Sequence, residues 1–184
     1  MKVYKTEDLR NIAIVGNAGS GKTILSEAML YLGGVIKRKG DIESKNTVSD
    51  YREVEHHQEN SVLSTVLYSE IKDKKINVID TPGSYDFVGG AISALHIADT
   101  AVMMINAQNG VEVGTEMLWR QVNNHHKPVI FTINQLDHEK ANFEKTMEDL
   151  KNAFGSHVVQ LQYPVNTGTE FNAVIDIILM KMLK

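Results

Sequence analysis

A glycine-rich loop near the amino terminus restricts the fold of this chain more than any other sequence feature. Residues 16–23 read GNAGSGKT and match the pattern G-x-x-x-x-G-K-[ST]. An apolar run, Ile12–Val15, precedes the loop, and apolar residues recur at helical spacing after it, from Lys22 to Leu32. A loop between a strand and a helix directs its N–H groups and the positive end of the helix dipole at one anion. A glycine-rich turn without a ligand is the alternative, which this context disfavours.

The residues of this loop are expected to bind different parts of a nucleotide and its metal ion. The glycines let the backbone curl around phosphate oxygens. Lys22 is expected to reach the β- and γ-phosphates, and the Thr23 hydroxyl is expected to ligate Mg²⁺. The predicted phosphate contacts are Gly16, Asn17, Ala18, Gly19, Ser20, Gly21, Lys22 and Thr23.

Short apolar runs alternate with segments of helical period along the chain, which is typical of βαβ units. Val62–Tyr68 and Ile76–Ile79 are separated by a charged turn, Lys72–Lys75, so we predict an antiparallel hairpin there, at a sheet edge. The predicted fold is α/β of the P-loop NTPase type, with a mixed, mostly parallel sheet and helices on both faces. The other predicted strands are Ile12–Val15, Ala101–Ile105 and Val129–Ile133, and the predicted helices are Lys22–Leu32, Val88–Ala98, Thr115–Asn124 and Glu139–Phe154.

The polar stretch from Gly34 to Asn60 has no clear period. It is too long for an idle connection, and we interpret it as a mobile functional loop.

Composition excludes several classes of protein. Apolar residues make up 42% and charged residues 23%, which is ordinary globular usage. The net charge of −4 gives no support to stand-alone DNA binding. The absence of cysteine excludes disulfides, thiolate metal sites and cysteine nucleophiles. No apolar stretch approaches the ~20 residues of a membrane helix, and no export signal is visible, so we expect a soluble, cytoplasmic protein without a membrane partner.

A second motif follows the predicted strand Ile76–Ile79 and has the pattern D-x-x-G. In this pattern the aspartate holds Mg²⁺, usually through water, and the glycine N–H senses the γ-phosphate. A typical ATPase more often ends this strand in Asp-Glu. The predicted contacts are Asp80, Thr81, Pro82 and Gly83, with Asp80 and Thr23 at the metal.

A third motif, Asn134-Gln135-Leu136-Asp137, follows the strand Val129–Ile133 and is close to the guanine signature N-K-x-D. The Asp137 carboxylate only accepts hydrogen bonds, and guanine offers N1–H and an amino group as donors. Read alone, Asn134 and Asp137 could equally cap a helix. Their order after the other two motifs favours a guanine site, and Asp137 argues against the weaker alternative of a P-loop ATPase or kinase.

These motifs, with several shorter pieces, resemble the amino-terminal part of the GTP-binding domain of translation elongation factor G. The matching pieces occur in family order over nearly the whole length: Arg10–Ile14, Gly19–Thr23, Ile79–Gly83, Asp86–Val88, Gly110–Val113, Trp119–Gln121, Asn134–Asp137 and Gln162–Val165.

The resemblance implies a GTP-binding domain at 1–156, incomplete because its final guanine-contacting loop is missing, and the start of an inserted subdomain at 157–184. It also implies GTP or GDP and Mg²⁺ as ligands, and the ribosome as partner in translocation through domains mostly absent from this chain. The chain itself is expected to be monomeric.

Two departures from the family pattern concern hydrolysis. The family's water-positioning histidine is replaced by Ser84. The switch threonine, which closes over Mg²⁺ and the γ-phosphate, aligns with Leu63, and a shift of two residues offers Ser61 or Thr65 instead. Leucine cannot ligate a metal. We therefore expect slow or absent GTP hydrolysis.

Two further departures concern nucleotide affinity and ancestry. The lysine of the guanine motif is replaced by Gln135, which loses a charge, and Gly19 replaces an aspartate common in translation factors. The sequence thus predicts a divergent elongation-factor-G-like paralogue with slow or absent GTP hydrolysis. The alternative is a non-hydrolysing module that binds the ribosome in a GTP-dependent manner.

Overall fold

The computed structural model describes residues 3–58 and 60–184 and has a five-stranded sheet at its centre. The strand order is β2-β3-β1-β4-β5, with β2 antiparallel to β3 and the remaining pairs parallel. The strands are β1 Leu9–Gly16, β2 Thr65–Ile71, β3 Lys74–Asp80, β4 Thr100–Asn106 and β5 Val129–Asn134. The predicted α/β class with a mixed, mostly parallel sheet is therefore confirmed.

Five α-helices lie in the described part of the chain. Their bounds are α1 Lys22–Leu32, α2 Glu53–Gln58, α3 Val88–Ile97, α4 Val113–Asn124 and α5 Phe143–Phe154. The prediction for α1 is correct at both ends. The prediction for α5 begins too early, because the Asn142 side chain accepts a hydrogen bond from the Lys145 N–H at 3.0 Å and starts the helix there. None of these helices combines the length and apolar composition needed to cross a membrane.

Helices cover both faces of the sheet, as predicted. On one face α3, α4 and α5 pack over buried residues of the central strands, among them Met103 and Ile105. On the other face α1 packs through Leu30 against Ile14 and Val78. Neighbouring residues of a strand point to opposite faces, so a strand between two helical layers is apolar throughout. The two cores hold the strand ends, and hence the predicted motifs, in fixed positions.

The predicted edge hairpin is confirmed, with a shorter turn. Lys74 and Lys75 belong to β3 and pair with Ile71 and Glu70 of β2. Only Lys72 and Asp73 form the turn, and their φ angles of 47° and 63° are both positive. Such a two-residue turn matches the twist of an antiparallel hairpin.

The polar stretch at 34–60 contains structure that the sequence did not predict. The short helix α2 lies within it, and Thr47, Ser49 and Glu55 are buried. Its mobility remains a prediction. Beyond α5, a separate antiparallel sheet is formed by β6 Gln162–Pro164, β7 Val174–Asp176 and β8 Lys181–Leu183.

Candidate nucleotide-binding site

The ends of three parallel strands bring the predicted motifs together at the carboxyl edge of the sheet. β1 ends at Gly16, β3 at Asp80 and β5 at Asn134. The Asn134 side-chain amide donates to the Ser20 carbonyl oxygen at 3.0 Å, so the third motif contacts the phosphate loop directly. Ligands of open α/β sheets bind at this edge.

The phosphate loop is compact and closely approached by the second motif. The Lys22 ammonium donates to the Asn17 carbonyl oxygen at 2.7 Å. A Cβ atom at residue 83 would lie 2.6 Å from the Ala18 nitrogen and closer still to the Lys22 Nζ, so only glycine fits there. Gly83 thus places its backbone against the loop that is expected to hold phosphate.

The charge of Lys22 is sensitive to its surroundings. Its side chain is buried, and burial lowers the pKa of Lys22 to about 8, although Asp80 and Asp50 favour the charged form. An anion bound in the loop would add a further opposite charge, which stabilises the protonated lysine.

Thr23 and Asp80 lie side by side within a cluster of oxygen-bearing side chains. Asp80 is buried and accepts a hydrogen bond from the Ser49 hydroxyl at 2.8 Å. The Thr23 hydroxyl donates to Asp50 Oδ2 at 3.3 Å and lies 3.3 Å from the Ser61 hydroxyl oxygen. Sequence reasoning missed Ser49 and Asp50, because they lie in a segment without a motif.

Two buried carboxylate oxygens of this cluster accept no hydrogen bond from the residues that the structure describes. Asp80 Oδ1 and Asp50 Oδ1 are buried, and neither has a hydrogen-bond partner among residues 3–58 and 60–184. Burial raises the pKa of Asp80 to about 6, and burial also raises the pKa of Asp50. Buried, unpaired carboxylate oxygens beside a threonine hydroxyl are hard oxygen ligands of the type that Mg²⁺ prefers. The residues present therefore fit this ion.

The three candidates for the switch position have different surroundings in the structure. Leu63 is 51% exposed, and its side chain has no oxygen that could join the cluster; its alignment to the switch threonine remains a prediction. The Thr65 hydroxyl donates to the Ser49 carbonyl oxygen at 3.1 Å. Ser61 is the candidate whose hydroxyl reaches Thr23.

The other two residues of the D-x-x-G motif have mainly structural surroundings. The Thr81 side chain is fully buried, and its hydroxyl donates to the Ile14 carbonyl oxygen at 2.7 Å, which ties β3 to β1. The predicted contact of Thr81 with the nucleotide remains a prediction. Pro82 is buried and lies close to Gly90 of α3.

The guanine motif is tied to the phosphate loop by neutral amides. The Gln135 side-chain amide donates to the Gly19 carbonyl oxygen at 3.0 Å. Its own oxygen accepts a hydrogen bond from the Asn106 side chain, at the end of β4. Gln135 therefore keeps a bond to the loop although it lacks the charge of lysine. Asp137 is exposed.

Ser84 begins the short 3₁₀ turn Tyr85–Phe87 and is half-buried. Its side chain makes no capping hydrogen bond to this turn. A small pocket separates Ser84 from the phosphate loop and α4, where the Asn17 side-chain amide donates to Glu112 Oε1 at 2.5 Å. Tyr85 packs closely against Gly114 at the start of α4.

Comparisons with known proteins bear on the family and the fold of this chain. A family model described as the elongation factor Tu GTP binding domain matches residues 7–182. Elongation factor G 2 of Borreliella afzelii (strain PKo) is 33% identical over 175 residues, which are 95% of this chain and 26% of that protein. The elongation factor G-like protein of Thermotoga maritima is 34% identical over 175 residues, 95% of this chain and 25% of the relative.

A crystal structure from Thermus thermophilus has a similar fold, with a TM-score of 0.89 at 32% identity over 94% of this chain and 26% of that one. The predicted P-loop fold and the resemblance to elongation factor G are confirmed. The chain spans about a quarter of the length of these relatives. Since the family model covers nearly the whole chain, the chain belongs to the elongation factor Tu GTP-binding domain family.

Proposed function

We propose that this domain binds GTP and GDP together with Mg²⁺ and serves an elongation-factor-G-like protein that acts on the ribosome in translocation. The observation that carries the proposal is the direct contact between the guanine motif and the phosphate loop, through Asn134 and Ser20. A single nucleotide, which carries both a base and phosphates, can therefore contact the guanine motif and the phosphate loop at the same time.

The phosphates are held by the loop amides and by the Lys22 ammonium. Lys22 already points into the loop, where it donates to Asn17. A phosphate oxygen offers the same ammonium a charged acceptor, and a hydrogen bond to a charged group is about twice as strong as a neutral one.

Mg²⁺ is held by Thr23 and Asp80, with Ser61 and Asp50 nearby. The unpaired Asp80 oxygen supports this assignment, because leaving a buried acceptor unsatisfied costs about 1–3 kcal/mol. The ion neutralises charge on the phosphates when it is bound. Ser61 can follow Thr23 to the ion without a rearrangement of the segment, since the two hydroxyls already touch.

Guanine is recognised by Asp137 and Asn134. The Asp137 carboxylate is exposed and therefore available to accept from guanine donors. Adenine lacks the matching donor pair, so GDP is expected to bind more tightly than ADP.

Hydrolysis of GTP in this domain is slow or absent. In-line attack needs a group that orients water at the γ-phosphate. Ser84 occupies the position expected to supply that group, and its short side chain lacks the reach of an imidazole. The alternative function, a non-hydrolysing GTP-dependent ribosome-binding module, is favoured by this same residue.

The nucleotide-binding part of the chain ends at residue 156, and an inserted subdomain begins after it. The separate sheet β6–β8 supports this boundary. The names of the relatives support a role in translation elongation, and the ribosome is the partner that this role requires.

Competition binding tests the nucleotide part of this proposal. GDP, GTP and ADP are titrated against the full-length protein with Mg²⁺ and with EDTA. Preference for GDP and GTP that depends on Mg²⁺ supports the proposal, and equal affinity for ADP overturns it. Multiple-turnover GTP hydrolysis with and without ribosomes then separates the translocase from the non-hydrolysing module.

A further inference from the structure

Glu27 is a buried carboxylate on α1 that none of the three nucleotide motifs includes. Its side chain is 1% exposed. Oε2 accepts a hydrogen bond from the Gly40 N–H at 2.8 Å, and Oε1 accepts one from the Val48 N–H. Both donors belong to the polar stretch at 34–60. One carboxylate on the helix thus holds two backbone amides of a segment that has no helix or strand at either point.

The position of Glu27 relates it to the metal side of the site. Glu27 lies four residues after Thr23 on α1, and residues at this spacing share a helix face. One amide that Glu27 holds is that of Val48, directly before Ser49 and Asp50. These two residues contact Asp80 and Thr23. Glu27 and Thr23, on one face of α1, therefore hold the same short stretch of chain at Val48 and at Asp50. We call the two hydrogen bonds from Gly40 and Val48 to Glu27 the clamp.

The segment between the two clamped amides is a compact turn. The Asp41 N–H donates to the Asn46 side-chain oxygen at 2.8 Å, and the Ser44 N–H donates to Asp41 Oδ1 at 2.7 Å. A Cβ atom at residue 40 would lie 2.5 Å from the Asn46 carbonyl oxygen. These contacts keep the chain between Gly40 and Val48 compact.

We propose that Glu27 is a positioning residue that holds residues 47–50 against the metal side of the site and thereby sets how tightly Mg²⁺ and GDP are retained. Glu27 touches neither the nucleotide nor the ion. It acts through the Val48 amide, and loss of that bond releases Ser49 and Asp50 from Asp80 and Thr23. The effect on Mg²⁺ rests on the proposed nucleotide function, whereas the clamp itself does not.

The test compares Glu27→Gln with Glu43→Gln in the full-length protein. Glu43 is an exposed acid in the turn between Gly40 and Val48, so its substitution removes the same charge from the same segment. In Glu27→Gln one of the two acceptor oxygens is replaced by an NH₂ group, which cannot accept a hydrogen bond from the backbone N–H that faces it. Glu27→Asp serves as a second variant, because it keeps the charge but is too short to reach both amides.

Amide hydrogen exchange without nucleotide measures the clamp alone. We expect exchange at Gly40 and Val48 to rise about tenfold or more in Glu27→Gln and Glu27→Asp, since a bond to a charged acceptor is lost. Exchange at Met103 in β4 is expected to stay unchanged, which separates local release from general unfolding. Unchanged exchange at Gly40 and Val48, or an equal rise at Met103, overturns the clamp.

Mg²⁺-dependent dissociation of a fluorescent GDP analogue measures the consequence. We expect the Mg²⁺ concentration for half-maximal retention to rise about tenfold in both Glu27 variants and not in Glu43→Gln. Faster amide exchange with unchanged Mg²⁺ dependence overturns the positioning role. If the wild-type protein retains no GDP at any Mg²⁺ concentration, the proposed function fails, and the exchange result still decides the clamp.

Discussion

The hydroxyl oxygens of Thr23 and Ser61 lie 3.3 Å apart, although they are 38 positions apart in the chain. Thr23 lies in the first turn of the helix after the phosphate loop, and Ser61 follows α2 beyond the polar stretch. The two side chains therefore meet where the loop and the polar stretch close around the metal side of the site. Leu63 is half-exposed outside this contact.

Replacement of Ser61 by alanine is expected to weaken Mg²⁺-dependent GTP binding by roughly tenfold, because an oxygen next to the ion is lost. The measurement is a GTP titration at fixed protein over a series of Mg²⁺ concentrations. Leu63→Thr is the matched control and is expected to change nothing. A gain of affinity in Leu63→Thr, with no loss in Ser61→Ala, would assign the switch position to residue 63.

Replacement of Asp137 by asparagine is expected to lower GDP affinity at least about tenfold and to leave ADP affinity unchanged. The amide presents a donor to the guanine donors that the carboxylate accepts, and a hydrogen bond to a charged group contributes about 1.5–3 kcal/mol. Calorimetry with both nucleotides provides the measurement. Glu139→Gln, an exposed acid two residues further on, is the control. Equal losses for GDP and ADP would contradict a role in base recognition.

Gln135→Ala is expected to speed GDP dissociation about fivefold, because the neutral bond to the Gly19 carbonyl oxygen is lost. Stopped-flow release of a fluorescent GDP analogue measures the rate. Gln108→Ala is the control, since Gln108 contacts Asn106 through its backbone N–H and not through its side chain. An unchanged rate in Gln135→Ala would mean that the amide bridge does not steady the loop.

Phe154 is buried and stacks with two other aromatic rings. Its replacement is expected to lower the stability of the fold without changing a residue of the proposed nucleotide site. Its ring lies 4.6 Å from that of Trp119 and 5.3 Å from that of Phe131, between centroids. Phe154→Ala is expected to lower the free energy of unfolding by about 3–5 kcal/mol. Urea denaturation measures this, with the exposed Val159→Ala as control. A loss below about 1 kcal/mol, on the order of a surface change, would show that the stack adds little.

The sequence predicts the parts of the site that lie at strand ends. Gly16, Asp80 and Asn134 each come directly after an apolar run of strand length, and parallel strands bring their carboxyl ends together. At these positions the apolar run in the sequence coincides with a strand of the structure. The bounds of α1 follow from the same agreement, because Gly21 and Gly33 flank it.

Asp50 and Glu27 could not be predicted in the same way. Asp50 lies in a stretch without period, and its contact with Thr23 depends on how the chain folds over a separation of 27 positions. Glu27 is one of several polar residues on an amphipathic helix, and its burial depends on a segment that covers it. The choice among Leu63, Ser61 and Thr65 for the switch position stays open for the same reason, because no motif fixes the register of this stretch.

The final prediction concerns Ser84 and the turnover of GTP. The Ser84 hydroxyl makes no capping bond to the turn it begins, so Ser84→Ala is expected to leave the rate unchanged. Ser84→His supplies an imidazole next to Gly83, which lies against the phosphate loop, and is expected to raise ribosome-stimulated hydrolysis at least about tenfold, in line with the roughly 10²–10⁴-fold typical of a positioned acid or base. Multiple-turnover assays of the full-length protein with saturating ribosomes compare all three forms.

Wild-type turnover equal to that of an ordinary elongation factor G would show that another residue already orients the water. If Ser84→His gives no gain, the Ser61 hydroxyl is the next group to change, and Ser61→Thr in the Ser84→His background is expected to recover more than either change alone, because both residues act in one transition state.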